Sequence, residues 1–304
     1  MDENRAESKN RYTPLRSALF VPGNRPDRID RAVKTSADTV IIDLEDAVPV
    51  DQKQEARAAA GSKIQEHLHR RLLVRINALE TGLAADDLEH VVAPGLEGVV
   101  LPKVESPVQL RQIHLLLKNA EIKEGLREES ISVIPLIESA LGIEKIFRIL
   151  EASPASRILT AAFGAADYAL DMGTTLTTLP RQLCYPRAKI ATSCAAAGLC
   201  PPLDTPFMID LKDLEAVEKD AAEAKSLGFG GKLCIHPCQV DVVNRVFSPG
   251  SDEIEHARRV VQAFEEAQAR GAGAVQVDGK FIDYPVVERC RRILQLSRHL
   301  QGDT

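Results

Sequence analysis

The stretch T-V-I-I-D-L-E-D-A at residues 39–47 decides the fold predicted for this chain. A short β-branched apolar run followed by three acidic residues is typical of a buried strand that delivers carboxylates to its C-terminal end. Because side chains alternate across a strand, Asp43 and Glu45 share the face of Ile41, whereas the residues between them form an apolar face. This arrangement indicates a parallel α/β sheet with a site at its strand ends. The alternative role for such carboxylates is to cap the following loop or helix.

Seven further strand-like segments recur along the chain, with helical patterns between them. The eight predicted strands are 17–22, 39–47, 71–77, 98–104, 132–138, 157–164, 199–204 and 231–237. Strict alternation of strands and helices predicts a parallel sheet, and eight units predict closure into a (β/α)₈ TIM barrel. A doubly wound open sheet is the alternative, because the seventh segment is short and rich in proline.

The predicted helices divide between the barrel and an appended segment. Those of the barrel begin near residue 25 or cover 51–69, 107–119, 142–150, a long stretch ending near 197, and 211–227. Two more helices, 251–270 and 286–300, follow the last strand. We therefore expect a polar N-terminal tail at 1–14, a barrel at 15–239 and a C-terminal helical extension at 240–304. The extension is predicted to cover the mouth of its own barrel or that of a neighbouring subunit.

The composition excludes several classes of protein. The 304 residues are 44% apolar, and 38 basic against 44 acidic side chains give a net charge of −6 without a basic stripe, which argues against a nucleic-acid partner. Residues 1–12 are polar, unlike a signal peptide, and no apolar run is long enough to cross a membrane. The six cysteines are scattered without zinc-site spacing, as in a reduced protein. A cytoplasmic protein without a membrane partner is expected.

Several predicted strands end in a side chain with useful chemistry, and in this fold that end carries the active site. These side chains are Glu45, Asp46, Arg75, Asn77, Lys103, Glu138, Asp167, Lys232 and His236. Glu138 and Asp167 each follow an apolar strand beside small residues, so they form the better pair of metal ligands. Carboxylate oxygens with waters suit Mg²⁺ rather than zinc, with Mn²⁺ as an alternative ion. Arg75 suits a substrate carboxylate or carbonyl, and Glu45 and Asp46 would hold waters or orient Arg75.

Each of these residues has a plainer interpretation. Arg75 could pair with Glu45 inside the barrel, and Glu138 could cap the next helix. Lys103 and Lys232 could be structural ion-pair partners or, in a different mechanism, form a Schiff base. His236 could be an ordinary loop histidine with no role as a base. The first β-to-α turn has Gly23 followed by Arg25, Arg28 and Arg31, which favours a phosphate group or is only an exposed basic helix face.

Seven motifs, in order, together resemble the citrate lyase β-subunit-like branch of the HpcH/HpaI aldolase superfamily, which includes malyl-CoA and citramalyl-CoA lyases. They are F-V-P-G-N-R-P at 20–26, D-L-E-D-A at 43–47, V-R-I-N at 74–77, L-P-K-V-E at 101–105, I-E-S-A-L-G at 137–142, F-G-A-A-D at 163–167 and G-K-L-C-I-H-P at 231–237. The resemblance covers residues from about 15 to 295, and it implies a (β/α)₈ barrel that acts as a carbon–carbon lyase.

The resemblance also implies roles for individual residues. It places the metal ligands at Glu138 and Asp167 and the substrate arginine at Arg75, with Glu45 and Asp46 around them. Substrate or CoA contacts are implied for Phe20, Arg25, Arg31, Arg75, Lys103, Ala166 and Asp167. K-F-I-D-Y-P at 280–285 matches the motif of a catalytic aspartate that a neighbouring subunit provides, which places it at Asp283 in a homotrimer or homohexamer.

The expected function is Mg²⁺-dependent cleavage of a short β-hydroxyacyl-CoA, of the citramalyl-CoA or malyl-CoA type, or the reverse condensation. The products would be acetyl-CoA and an α-keto acid such as pyruvate or glyoxylate. One alternative is the β subunit of a citrate lyase, which acts on an acyl-carrier-protein thioester. Two others are a Schiff-base aldolase and a catalytically inactive CoA-binding scaffold.

Overall fold

A computed structural model describes residues 14–151, 157–178 and 181–302 of the chain. Its central feature is a closed barrel of eight parallel strands in chain order. The strands are β1 Ser17–Pro22, β2 Thr39–Asp43, β3 Leu72–Arg75, β4 Leu96–Leu101, β5 Ser132–Ile137, β6 Ala162–Phe163, β7 Leu203–Asp204 and β8 Gly231–Cys234. Strand β1 pairs with β8, which closes the cylinder. The predicted TIM barrel is confirmed, and the alternative of an open, doubly wound sheet is wrong.

Helices follow the strands around the barrel. They are α1 Pro26–Ala32, α2 Lys53–Glu66, α3 Ala84–Val91, α4 Pro107–Lys123, α5 Ala140–Glu151, α6 Ala165–Asp171, α7 Cys184–Ala196, α8 Leu214–Ser226 and α9 Cys238–Phe247. The sequence patterns did not predict α3 and α9, and the single long helix expected up to residue 197 is the pair α6 and α7. Among the described residues, no helix is both long and apolar enough to cross a bilayer.

Strands β6 and β7 are much shorter than predicted. The segment before β6 makes only an isolated bridge, between Ile158 and Val133. The Thr160 hydroxyl donates to the carbonyl groups of Cys200 and Pro201, at 2.8 and 3.0 Å. Because prolines have no N–H to donate, the P-P pair at 201–202 cannot extend the ladder. Side-chain hydrogen bonds therefore replace part of the expected strand pairing.

The barrel interior confirms the predicted alternation of β2. Ile41 packs in the central cluster with inward-facing residues of the other strands, among them Leu73, Val100, Ile134 and Leu233. Two positions further along the same face of β2 lies Asp43, whose register partner on β3 is Arg75. The inner face is therefore apolar in the middle of the barrel and charged where the strands end.

The chain divides into two compact units, the second of which begins at Arg245. This second unit contains α10 Ser251–Ala269, a hairpin of β9 Val275–Val277 and β10 Lys280–Ile282, and α11 Tyr284–Gln301. Its small core includes Val260, Phe264, Ile282 and Val287. The predicted C-terminal helices are thus present, whereas their position over a barrel mouth stays a prediction. The predicted polar tail, apart from Pro14, lies outside the described residues.

Candidate active site

A cavity of about 420 Å³ lies at the C-terminal ends of the barrel strands. Its charged lining residues are Asp43, Asp46, Arg75, Glu138 and Asp167. Its apolar lining includes Phe20, Leu136, Ala166, Met208, Leu233 and Ile235. Four carboxylates and one guanidinium therefore surround a partly apolar space, as expected from the polar residues that end the predicted strands.

Glu138 and Asp167, the predicted pair of metal ligands, both line this cavity. Glu138 directly follows β5 and is only 6% exposed, whereas Asp167 is half-buried in the first turn of α6. The Lys103 main-chain N–H donates to Glu138 Oε1 at 2.7 Å. Burial, reinforced by the nearby charges of Glu45 and Asp167, raises the pKa of Glu138 to about 8. A cation at this position would remove much of the electrostatic cost of the ionised carboxylate.

Glu138 does not cap the helix that follows it, so that alternative interpretation is wrong. The Gly142 N–H, in the first turn of α5, donates to the hydroxyl oxygen of Ser139 at 3.1 Å. The Ala140 N–H donates to Asp171 Oδ2 at 2.8 Å. With the start of α5 bound by these two groups, the Glu138 carboxylate is left for the cavity.

Gly164 leaves room for the Glu138 carboxylate. A Cβ atom at position 164 would lie 2.6 Å from Glu138 Oε2 and 2.8 Å from its Cβ, which is too close for either to stay in place. The backbone φ at Gly164 is −108°, a value that any residue adopts, so the requirement for glycine is one of space. Gly164 is part of the motif F-G-A-A-D at 163–167, but the motif by itself predicted no role for it.

Replacement of Gly164 by Ala is expected to displace Glu138, because the new Cβ would overlap both its carboxylate and its Cβ, although the φ at position 164 itself suits alanine. We expect Mg²⁺ affinity to fall by roughly 10- to 100-fold, the loss typical when the groups that orient a ligand are removed. Titration calorimetry measures the affinity, and thermal unfolding checks that the fold persists. Gly250→Ala is the matched control, because a Cβ there meets nothing within 4 Å. Equal Mg²⁺ affinity in both variants would contradict the prediction.

Arg75 extends from the end of β3 and is held mainly by Asp43. Its Nε and Nη2 donate to the two oxygens of Asp43 at 2.7 and 2.6 Å, whereas its Nη1 lies 3.2 Å from Glu45 Oε2 and 3.8 Å from Asp46 Oδ2. The Arg75 Cζ lies 5.0 Å from the centre of the Phe20 ring. Burial would lower the pKa of Arg75, but Asp43 and the other carboxylates outweigh it and raise that pKa. The guanidinium is therefore permanently charged.

Lys103 connects Glu138 with the acidic turn after β2. Its φ of 54° lies in the left-handed region, which is unusual for lysine, and this conformation accompanies its N–H bond to Glu138. Its Nζ lies 2.8 Å from Glu45 Oε1 and 3.7 Å from Asp46 Oδ1. Partial burial acts to lower the pKa of Lys103. The hydrogen bond to Glu45 and the surrounding carboxylates outweigh this effect, so the pKa lies above its usual range. A Schiff-base lysine needs the opposite shift.

The acidic turn at residues 44–46 is also bound by a buried lysine, Lys53, that was not among the predicted site residues. Lys53, buried in α2, donates from Nζ to the carbonyl oxygens of Leu44 and Glu45 at 2.6 and 2.7 Å. Glu45 is itself buried, and desolvation raises its pKa despite Arg75 and Lys103. Nothing in the local sequence pattern distinguishes Lys53 from an exposed helical lysine.

Two arginines of the first β-to-α turn and helix α1 pair with an aspartate of the same helix, Asp27. Asp27 accepts from Arg25 Nε at 3.1 Å and from Arg31 Nη2 at 2.6 Å. Arg25, Arg28 and Arg31 are all exposed, so the basic face of α1 is open to a ligand. Phosphate binding by Arg25 and Arg31 stays a prediction, and a phosphate there would compete with Asp27.

Lys232 and His236 lie outside this constellation. Lys232 Nζ is buried between Asp204 Oδ2 and Asp220 Oδ2, each at 2.5 Å, and Arg187 pairs with the same two carboxylates. This buried cluster supports the interpretation of Lys232 as a structural ion-pair partner rather than as a Schiff-base lysine. His236 lies beyond the end of β8 in an exposed position, and its Nδ1 is 2.9 Å from Cys238 Sγ.

Asp283 lies in the second unit, immediately before α11. Its carboxylate accepts the N–H of Val286 at 3.4 Å, in the geometry of a helix N-cap. Asp283 is half-buried, and two residues near it in the chain, Phe281 and Tyr284, are exposed. Its role as a proton donor stays a prediction.

A second group of possible metal ligands already has its carboxylates paired with a lysine of the protein. Asp30, Glu66 and His67 bring oxygen and nitrogen atoms within 4.8 Å of one another. However, Lys63 Nζ lies 2.9 Å from Asp30 Oδ2 and 2.6 Å from Glu66 Oε2, and His67 Nε2 lies 2.8 Å from Asp30 Oδ1. This cluster is therefore a surface ion-pair network.

Fold and cavity together define the class of protein: a (β/α)₈ barrel with a carboxylate-rich site at the C-terminal mouth, suited to a divalent cation and an anionic ligand. The chain belongs to the HpcH/HpaI aldolase/citrate lyase family, whose model matches residues 16–237. This match confirms the resemblance found from the sequence motifs.

Named relatives and solved structures fall in the same family. The chain is 35% identical to the citrate lyase subunit beta of Leuconostoc mesenteroides subsp. cremoris, over 93% of each chain. It is 30% identical to the mitochondrial citramalyl-CoA lyase of Mus musculus, over 97% of this chain and 89% of that one. A crystal structure of the protein CitE from Mycobacterium tuberculosis, in complex with magnesium, acetoacetate and coenzyme A, is also similar. It is 29% identical and superposes with a TM-score of 0.73, over 93% of this chain and 98% of that chain.

Proposed function

We propose that this protein is a Mg²⁺-dependent carbon–carbon lyase that cleaves a short β-hydroxyacyl-CoA into acetyl-CoA and an α-keto acid, or catalyses the reverse condensation. The observation that carries the proposal is the convergence of Glu138, Asp167 and Arg75 on one cavity. Two carboxylates suit a divalent cation, and the guanidinium suits the carboxylate or the developing keto oxygen of the substrate.

The residues around Glu138 fit a hard cation. Its carboxylate is buried beside two other acidic groups, its pKa is raised to about 8, and a Cβ at Gly164 would fill the space that its Oε2 occupies. The ligand-type atoms here are oxygens, which Mg²⁺ prefers. Glu138 and Asp167 would hold the ion. When bound, Mg²⁺ supplies Lewis-acid polarisation of the substrate hydroxyl and carboxylate.

The remaining steps fall to side chains of the protein. Arg75, fixed and permanently charged, would stabilise the alkoxide that forms when the substrate hydroxyl loses its proton to water, before the bond between the α and β carbons breaks. In the condensing direction it would stabilise the negative charge that develops on the keto oxygen. Asp283, contributed by a neighbouring subunit, would protonate the enolate carbon of the departing thioester, or remove a proton from it in the condensing direction. Lys103 offsets the negative charges of Glu45 and Asp46, so these carboxylates do not repel an anionic substrate from Arg75.

The CoA moiety is assigned to the basic turn of α1. Arg25 and Arg31 are within reach of one carboxylate, Asp27, which indicates that both can bind one phosphate group in its place. The turn begins at the end of β1, at the same end of the barrel as the cavity. Phe20, on that strand, lines the cavity between this turn and Arg75.

A citrate lyase β subunit is the second candidate, because the relative from Leuconostoc mesenteroides has that name. In that role the chain would act on a citryl thioester of an acyl-carrier protein. A panel assay separates the two candidates: purified protein is incubated with citramalyl-CoA, malyl-CoA and a citryl thioester, with and without Mg²⁺. Activity on the CoA substrates alone, abolished by EDTA, supports the proposal. Activity restricted to the citryl thioester favours the second candidate.

The same panel, with borohydride treatment added, also tests the Schiff-base and scaffold alternatives. Inactivation by borohydride in the presence of pyruvate, with activity unaffected by EDTA, would overturn the metal-dependent mechanism. No turnover of any substrate in the panel would favour a CoA-binding scaffold.

Mg²⁺ binding is expected to release about one proton per ion at pH 7. With a pKa of about 8, Glu138 is largely protonated at that pH in the metal-free protein. A cation binds the carboxylate form, so its apparent affinity should rise by up to about tenfold per pH unit below pH 8 and level off above it. Calorimetry at pH 7 in two buffers of different ionisation enthalpy counts the protons. Binding with no proton release would show that Glu138 is not the titrating ligand.

A further inference from the structure

Asp43 occupies the centre of the hydrogen-bond network at the end of β2. Its side chain is 2% exposed. One oxygen, Oδ1, accepts from Arg75 Nε at 2.7 Å, and the other, Oδ2, accepts from Arg75 Nη2 at 2.6 Å. This is a bidentate pair, the arrangement that fixes both the position and the plane of a guanidinium.

The same carboxylate shapes the acidic turn. The N–H groups of Glu45 and Ala47 donate to Oδ1 and Oδ2 of Asp43 at 2.9 and 3.1 Å. Four donors therefore converge on one buried carboxylate, two from Arg75 and two from the main chain. As a result, the orientation of Arg75 and the fold of the turn that presents Glu45 and Asp46 depend on a single group.

The other acidic neighbours cannot fix Arg75 in the same way. Glu45 Oε2 is 3.2 Å from Arg75 Nη1 but makes no hydrogen bond, and Glu45 Oε1 is bound to Lys103 Nζ. Asp46 is exposed, with its Oδ2 3.8 Å from Nη1. Of the five N–H groups of Arg75, Asp43 binds two. Those on Nη1 make only ion pairs, with Glu45 and Asp46, so they can still donate to a ligand in the cavity that Arg75 lines.

We propose that Asp43 is the positioning residue that fixes the plane of the Arg75 guanidinium, so that its Nη1 edge is held ready to bind the substrate. Its effect on turnover rests on the lyase function proposed above, whereas its effect on Arg75 does not. Loss of the bidentate bond would leave the guanidinium held only through Nη1, by its ion pairs with Glu45 and Asp46, so that it could rotate about that contact. A displacement of about 1 Å in a substrate-orienting group is enough to lower the rate by about 10²-fold.

The chain contains a matched control for this network. Glu121 is also fully buried, pairs with both Nη atoms of Arg157 at 2.8 Å, and accepts the main-chain N–H groups of Ile131 and Glu129. Ile131 and Arg157 lie before β5 and β6, at the end of the barrel opposite the cavity. Glu121→Gln therefore removes an equivalent buried carboxylate without touching the site.

The first test measures how fast the Nε–H of the Arg75 side chain exchanges with water. In protein labelled with ¹⁵N-arginine, the Arg75 Nε–H signal, assigned by its loss in Arg75→Lys, should exchange slowly with water. Asp43→Asn should accelerate that exchange by at least about tenfold, and Glu121→Gln should not. Retention of a slowly exchanging Arg75 signal in Asp43→Asn would overturn the proposal.

The second test measures turnover and metal binding. Asp43→Asn should lower kcat by about 10²-fold while the Mg²⁺ affinity stays within about twofold, and Glu121→Gln should change neither. An equal loss of kcat in Glu121→Gln would overturn the proposal, because a general loss of stability would then explain it. If the wild-type protein turns over none of the thioesters in the panel, the proposed function fails, and the exchange rate of Arg75 still decides the role of Asp43.

A further pair of variants applies if Asp43→Asn does not fold. Arg75→Ala leaves a guanidinium-sized space beside Asp43, which free guanidinium at millimolar concentration should occupy. Calorimetry should detect that binding in Arg75→Ala and not in the double variant Arg75→Ala/Asp43→Asn, in which neither member of the buried pair remains. Equal binding of guanidinium to both would overturn the proposal.

Discussion

Glu138→Gln is expected to abolish turnover, with a loss of roughly 10³-fold or more in kcat and a comparable loss of Mg²⁺ affinity. The amide is nearly isosteric, and its oxygen still accepts the Lys103 N–H that binds Glu138 Oε1 at 2.7 Å. What disappears is the buried charge that would hold the cation. Lewis-acid stabilisation of several kcal/mol corresponds to a rate factor of about this size. Calorimetry with Mg²⁺ and steady-state kinetics on citramalyl-CoA and malyl-CoA measure the two losses.

Stability measurements distinguish this result from unfolding. The folded-state pKa of Glu138, about 8, lies above the ordinary value of 4.5, so the neutral carboxyl favours the folded state. Its contribution is fully present below pH 4.5 and is lost as the pH rises through 8. In EDTA, the wild-type protein should therefore lose unfolding free energy relative to Glu138→Gln as the pH rises from about 4.5 to about 8, with little further change above that.

The control for metal binding is Asp171→Asn, which changes a carboxylate on the same helix as Asp167. Asp171 accepts the N–H of Ala140 at 2.8 Å and is exposed. This variant should keep wild-type Mg²⁺ affinity. Wild-type affinity in Glu138→Gln as well would show that the cation binds elsewhere.

Asp283→Asn is expected to lower kcat by about 10² to 10⁴-fold, the usual contribution of a positioned proton donor. Mg²⁺ affinity should not change, because the proposed role of Asp283 is proton transfer. Asparagine is as good an N-cap as aspartate, so the bond from the Val286 N–H, and with it the start of α11, should persist. The control is Asp278→Asn, which alters an acid of the same hairpin that pairs with Arg259 at 3.0 Å.

Mixing two inactive variants tests whether Asp283 acts on a neighbouring subunit. In a cyclic homo-oligomer, a site formed by the barrel of an Asp283→Asn subunit and the C-terminal unit of a Glu138→Gln subunit has both groups intact. Random exchange of equal amounts should restore about a quarter of wild-type activity. No recovery after verified subunit exchange would contradict the shared site.

Local patterns predicted the barrel well where the pattern is strong. The apolar runs of β1 and β5 begin at the predicted residues, and the alternation in β2 correctly placed Asp43 on the inner face. The failures have local causes too. Two prolines shorten the pairing of β7, and α3 has a narrow apolar stripe centred on Leu88 and Val91 that a periodicity count passes over. The break between α6 and α7 depends on where the chain turns, which the apolar pattern does not specify.

The sequence by itself determined which end of the barrel carries the charged residues, because parallel strands all bring their C-terminal ends to the same edge. Glu138, Asp167 and Arg75 were therefore predictable as cavity residues. Only the tertiary structure decided which charge compensates which. Asp43 binds Arg75 through two hydrogen bonds, whereas the expected partner Glu45 makes only an ion pair with it. Asp204 and Asp220 pair with Lys232 away from the cavity, and Gly164 makes room for Glu138. Such pairings depend on distances of a few ångströms between segments far apart in the chain, and no local pattern encodes those distances.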